Sequence, residues 1–174
     1  MKLMKKNSII AIFSLIQNDK ILSLWPYKFN LMYIVELSEN ALTTKLEIKN
    51  IGTESFSFQA LLHTYINVKN ISNTIISGLK DKMYTNQLIK EGNQLIKEVD
   101  EEKKINDESD SIFSNIENEI NVETSERKIS VKPSAIFVDA EKTSRSIETD
   151  VVVWNPWIEK GQSISDLEEN GYER

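Results

Sequence analysis

The chain has 174 residues, 40% of them hydrophobic and 28% charged, which is ordinary for a soluble globular protein with one sizeable core. A net charge of −6 argues against nucleic acid as a partner, because phosphates call for a basic surface. The absence of cysteine excludes disulfides and thiolate metal sites, a single histidine leaves little for zinc, and the composition suits the cytoplasm.

Lys2, Lys5 and Lys6 precede the apolar run Ile9 to Ile16, which has the outline of a short signal peptide. The run is too short to span a bilayer and is followed by Gln17-Asn18-Asp19-Lys20 with no small-residue cleavage site. A strand is the preferred reading, and no membrane partner is expected. Lys28 to Val35 sets Phe29, Leu31, Tyr33 and Val35 on one side of a strand. Leu42 to Lys49 alternates more cleanly still, and Asn50-Ile51-Gly52-Thr53 then makes a turn.

Phe56 to Val68, FSFQALLHTYINV, carries the only histidine and a strict two-residue alternation. As a strand it would turn Phe56, Phe58, Ala60, Leu62, Thr64, Ile66 and Val68 to one face and His63 to the other, more polar one. Taken alone, that histidine fits simple decoration of a solvated sheet face. Ile75 to Leu79 is a further short strand ending near Gly78.

QLIKE occurs twice, at Gln87 to Glu91 and Gln94 to Glu98, with Gly92-Asn93 between, and reads as a polar hairpin or a short helix. Val99 to Asp110 is dense in acid and lysine and reads as a solvated loop. Lys128 to Lys132, Ser134 to Val138 and Thr149 to Val153 read as strands, the last ending at Trp154-Asn155-Pro156-Trp157. Both tryptophans fit either core anchoring or stacking on a sugar ring, and core anchoring is preferred because large aromatics mostly bury area. No phosphate-cradling glycine loop, nucleophile elbow or metal-ligand cluster is present in the sequence, so no cofactor or metal is expected.

The motifs FQALLHTYI, SGL, Tyr84 and VVVWNPW occur in this order, followed by Asp166 and Tyr172. In this they resemble the glucose-6-phosphate 1-epimerase (hexose-6-phosphate mutarotase) family, a branch of the aldose 1-epimerase, galactose mutarotase-like proteins. Phe58, Leu62, His63, Thr64, Tyr65, Ser77, Gly78, Leu79, Tyr84, Val153, Trp154, Asn155, Pro156 and Trp157 match the pattern, while Ile66 stands where the family has Phe. Trp25-Pro26 resembles the family's strand opening, and the resemblance covers residues 25–172.

The resemblance implies an all-β, galactose mutarotase-like β-sandwich, here a single partial domain over residues 1–174, incomplete at both ends. It implies an isomerase that interconverts the anomers of glucose 6-phosphate, with a hexose 6-phosphate as partner and no cofactor. His63 takes the role of general acid. Asp110, in Glu108-Ser109-Asp110-Ser111-Ile112-Phe113, takes a substrate-binding role, and the two are expected to share a concave groove. The family's base is a glutamate in a motif ending in Glu-Pro-Gly or similar, which Glu168, Glu169 and Glu173 do not match. The family's phosphate-binding arginines precede its Trp-Pro strand, and Arg127, Arg145 and Arg174 match none of them. The chain as written is therefore expected to show little epimerase activity. A non-catalytic carbohydrate-binding β-sandwich is the alternative, and a ligand-free structural β-module a third.

Overall fold

The computed structural model describes residues 2–5, 7–89, 94–165 and 167, and its fold is almost entirely antiparallel β-structure. Contacts divide it into two compact units, Met1–Tyr65 and Ile66–Arg174. Asp166 and Tyr172, and the glutamates Glu168, Glu169 and Glu173, lie outside the described residues.

The first unit is a meander of β1 (Lys2–Lys5), β2 (Ser8–Leu15), β3 (Phe29–Ser38) and β4 (Leu42–Asn50), in that spatial order. The apolar run near the N-terminus is thus a strand: Ile9 pairs with Leu37 and Phe13 with Tyr33. Register carries the alternation across the sheet. One face gathers Ile9, Leu37 and Leu42, then Phe13, Tyr33 and Leu46, then Leu15, Leu31 and Ile48. The other carries Ser8, Glu36, Thr43, Lys45 and Glu47 around Ile10, Ile12 and Ile34, with Ser8 Oγ donating to Glu36 at 2.8 Å. Between β2 and β3 lies a short helix, α1 (Asp19–Leu24), which the pattern of apolar residues did not announce. Its signal was local: Asn18 caps the N-terminus by accepting from the Ile21 N–H at 3.0 Å, and Asp19 sits in the positive first turn.

Trp25 anchors the turn into β3, with its ring 4.8 Å from that of Phe29 and 4.8 Å from that of Phe56. Tyr27 joins the same group at 5.4 Å from Phe56. These aromatics give the unit its own small core, in which Phe29 is buried.

The second unit holds two four-stranded sheets and a hairpin. The first sheet runs β11 (Lys128–Val131), β10 (Ile120–Glu123), β5 (Ile75–Ser77) and β8 (Glu102–Lys103). The second runs β14 (Val151–Asn155), β9 (Ser109–Phe113), β6 (Met83–Asn86) and β7 (Leu95–Lys97), and β12 (Ala135–Val138) pairs with β13 (Ser144–Ile147). The second QLIKE copy carries β7, which pairs antiparallel with β6 so that Met83 opposes Lys97, while Lys90 to Asn93 between the copies lie outside the described residues. The charged stretch up to Asp110 carries β8 and opens β9. Both sheets turn residues into one core: Ile76, Ile120 and Val122 from the first, Phe113 and Val153 from the second, with Val68, Ile71, Leu79, Ile105 and Ile116 from the connections.

Gly78 closes β5 with φ +93°, and a Cβ there would lie 2.5 Å from the Glu119 carbonyl oxygen. Only glycine satisfies both the left-handed backbone and the close approach. Among the described residues no helix is long and apolar enough to cross a membrane.

Candidate functional site

His63 belongs to the first unit. The stretch from Phe56 to Val68, expected as a strand, has no assigned ladder in the structure. Nor does its alternation produce one buried face: Phe58 is 52% exposed, Leu62 44% and Leu61 64%. The physical reason is that a period of two reports an extended backbone, while a strand also requires a neighbour to pair with. Near its start the stretch is held by Phe56 in the aromatic group and by a knot of hydrogen bonds. Asn50 Nδ2 donates to the Glu54 carbonyl at 2.8 Å, and the Gly52 N–H to Asn50 Oδ1 at 2.9 Å. Past Tyr65, Val68 enters the core of the second unit, and Arg127 donates to the Asn67 carbonyl. His63 lies between these anchors, exposed, with its ring 4.8 Å from that of Tyr65 and tilted 41° to it. The i, i+2 spacing of these two rings is the part of the alternation that survives.

Asp110 belongs to the second unit, on β9, and is half-buried. Successive β9 residues point to opposite faces. Ser111 and Phe113 are buried against the core, so Asp110 and Ile112 lie on the outward face. On one flank Asp110 pairs with Trp154 of β14. On the other, its carbonyl accepts the Gln87 N–H at 2.8 Å, just beyond the end of β6. The Gln87 side chain donates to Thr85 Oγ1 at 2.9 Å, and Thr85 opposes Ile112, so Gln87 lies on the same outward face.

The two tryptophans of the WNPW motif separate. Val153 and Asn155 turn inward, which places Trp154 outward and half-buried. Trp157 packs against the core cluster. The chain takes it there through a left-handed residue, φ 55°, fixed by its N–H donating at 2.8 Å to Oδ1 of the buried Asn155. Core anchoring therefore holds for Trp157. No sequence motif marked Gln87. A second omission lies under the sheet: Lys103 Nζ sits 3.1 Å from the buried Glu98 carboxylate and 5.4 Å and 5.8 Å from the ring centroids of Tyr84 and Phe113. Within a run of alternating charges nothing distinguished that pair from its solvated neighbours.

Carboxyl groups held below their ordinary range lie elsewhere on the surface: Asp81 by its hydrogen bond and charge contact with Lys97, and Glu126 likewise by Lys69. Glu119 is lowered by hydrogen bonds from Ser130 and Lys132. No group of three or more metal-ligating side chains occurs among the described residues.

Comparison with known proteins bears on the family and the fold. The aldose 1-epimerase family model matches residues 4–174. A Cenchrus ciliaris protein named "putative glucose-6-phosphate 1-epimerase" is 26% identical over 160 residues, covering 87% of this chain and 43% of its own length. Proteins of the same name from Salmonella typhimurium and Escherichia coli are 24% and 25% identical, each covering 95% of this chain and 50% of their own length. The chain thus spans about half the length of these relatives. The crystal structure of a "putative mutarotase (YeaD)" from Salmonella typhimurium superposes with a TM-score of 0.76 at 21% identity, over 99% of this chain and 52% of that one. The shared fold is the mutarotase-like β-sandwich, and with the family match over nearly its whole length, this chain belongs to the aldose 1-epimerase family.

Proposed function

We propose that this chain serves the interconversion of the α and β anomers of a hexose 6-phosphate, glucose 6-phosphate first, in the cytoplasm. Ring opening needs a proton delivered to the ring oxygen and another removed from the anomeric hydroxyl. The C1–ring oxygen bond then breaks to give the open aldehyde, C1 turns about its bond to C2, and the ring closes on the other face with both protons returned. An imidazole, whose unperturbed pKa is about 6.5, can give and retake the first proton near neutrality. His63 is assigned that role and Asp110 the binding of sugar hydroxyls. The observation that most supports this reading is the outward placement of Asp110 on β9, opposite Trp154 in the strand register and on the face away from the buried Ser111 and Phe113.

The second proton has no assigned acceptor. The family glutamate motif is unmatched in these residues, as are its phosphate-binding arginines. The exposure of His63, on a stretch without a strand partner, favours a second reading, a carbohydrate-binding β-sandwich that does not itself catalyse. Calorimetry with glucose 6-phosphate, glucose and inorganic phosphate, beside polarimetric anomerisation of glucose 6-phosphate, tests both. The 174-residue polypeptide is expected to bind glucose 6-phosphate, with Asp110→Asn weakening it roughly tenfold. Its anomerisation is expected to stay near the no-enzyme blank, since losing one positioned acid or base costs about 10²–10⁴-fold. Rapid anomerisation abolished by His63→Ala would mean that another carboxylate acts as base. Failure to bind any of the three ligands would overturn the proposal.

A further inference from the structure

β8 is two residues long and forms an edge of the first sheet of the second unit, yet it carries a charge on its inner side. Residues opposite one another in a ladder share a face, and the register sets Ile129, Val122, Ile76 and Lys103 in one row across the four strands. Val122 and Ile76 are buried in the core, and Ile129 packs against it. The fourth place in a row of core residues is therefore taken by an ammonium. Its Nζ lies 3.1 Å from the Glu98 carboxylate, and 5.4 Å and 5.8 Å from the ring centroids of Tyr84 and Phe113, which belong to the second sheet.

Glu98 is 6% exposed and stands just past β7 of that second sheet. Its N–H donates to the Lys82 carbonyl at 2.9 Å and its carbonyl accepts the Asp81 N–H at 2.8 Å, so its backbone is fixed to the residues that lead into β6. Oε1 accepts the Asp100 N–H at 3.3 Å while Oε2 accepts from Lys103. The pair thus joins β8 of one sheet to the end of β7 of the other. Two neighbouring pairs, Lys97–Asp81 at 2.6 Å and Lys80–Glu101 at 2.5 Å, sit at the exposed surface, where solvent and salt weaken them. Stability alone does not account for the buried pair. Taking two charges out of water offsets much of their attraction, and an apolar pair of similar volume would stabilise as well. What the buried pair adds is direction, because it is satisfied in one geometry only.

We propose that Lys103 and Glu98 form a charge latch, which holds β8 in one register at the edge of the first sheet and closes that end of the two-sheet core. A two-residue strand has few ladder bonds with which to set its own register, and a slip by one residue would turn Lys103 outward. The inward lysine also makes β8 a poor template for a further strand, so the sheet ends there. The latch acts whatever ligand the chain binds.

Nuclear magnetic resonance on the full 174-residue chain tests it. In the wild type the Lys103 Hε protons are expected upfield of those of other lysines, shifted by the Tyr84 and Phe113 rings. They should stay there at about 1 M sodium chloride, where exposed pairs are screened. Hydrogen exchange of the β8 amides and of Ile76 and Ser77 is then compared among the wild type, Glu98→Gln, Lys103→Met and the double variant Glu98→Leu/Lys103→Met. Each single variant leaves one group without its partner and should speed exchange there about tenfold or more, with β11 changing less. The double variant should regain the wild-type denaturation midpoint while exchange at β8 stays fast, because an apolar pair fills the space without fixing the register. Lys103 protons at the ordinary lysine position, or single variants whose β8 exchange stays within about twofold of wild type, would overturn the latch. A double variant with wild-type protection at β8 would overturn it as well, since the pair would then only fill space.

Discussion

The two units of this chain use the same alternation of apolar residues to opposite effect. In the first unit, the pattern is cleaner: β2, β3 and β4 align Ile9, Leu37 and Leu42, and Phe13, Tyr33 and Leu46, in straight rows. Yet Phe13 is 60% exposed and Leu42 58%, and of its apolar residues only Ile10 and Phe29 are buried among those described. In the second unit the strands are shorter and the alternation is harder to see, but Phe113, Leu79 and Ile116 are sealed almost completely. Alternation states which residues can share a face. Whether that face meets another layer is decided by residues distant in sequence, such as Val68, Ile105 and Ile116, which reach the core from connections and not from strands.

The largest expected effect breaks this contrast directly. Phe113→Ala removes a fully buried ring shared by β6, β9 and β14 and should cost about 3–5 kcal/mol, whereas Phe13→Ala on the first sheet should stay within about 0.5 kcal/mol. Chemical denaturation of the two variants measures both numbers, and comparable losses would show that the first sheet is as deeply buried as the second.

A smaller effect sharpens the comparison at a point of backbone and not of side chain. Gly78→Ala places a Cβ against the Glu119 carbonyl at 2.5 Å and asks an L-residue for a φ of +93°. The left-handed backbone alone costs about 1–2 kcal/mol, and relief of the contact adds to it. The loss should fall on the β5–β10 pairing, so hydrogen exchange should quicken at Ile76 and Val122 before it does in β3. Unchanged exchange in β5 would contradict the account of this turn.

Much of the fold was legible because β3, β4, β11 and β12 announce themselves locally, each beginning or ending within a few residues of the pattern that predicts it. The histidine segment was less so. FSFQALLHTYINV has the strictest alternation in the chain and no assigned ladder, since sequence shows periodicity but not a pairing partner. Asp110 was singled out through resemblance, and its face follows from the burial of Ser111 and Phe113 on either side of Ile112. Trp154 and Trp157 could not be told apart by composition. What separates them is the Asn155 side chain and the left-handed turn at Trp157, features of backbone geometry that residue type does not encode. Gln87 was invisible for a different reason: it is one of many polar residues in a hairpin, and only strand register brings it beside Asp110.

The central claim is that the chain binds a hexose 6-phosphate at the site to which His63 belongs. Because His63 is the only histidine, the imidazole Cε1–H gives a single proton NMR signal that needs no assignment by mutation. Titrating the 174-residue chain with glucose 6-phosphate should move that signal along a curve that saturates with the calorimetric isotherm, and inorganic phosphate alone should move it less. A signal that stays fixed while calorimetry reports saturation would contradict the claim, because the sugar would then be bound away from the histidine.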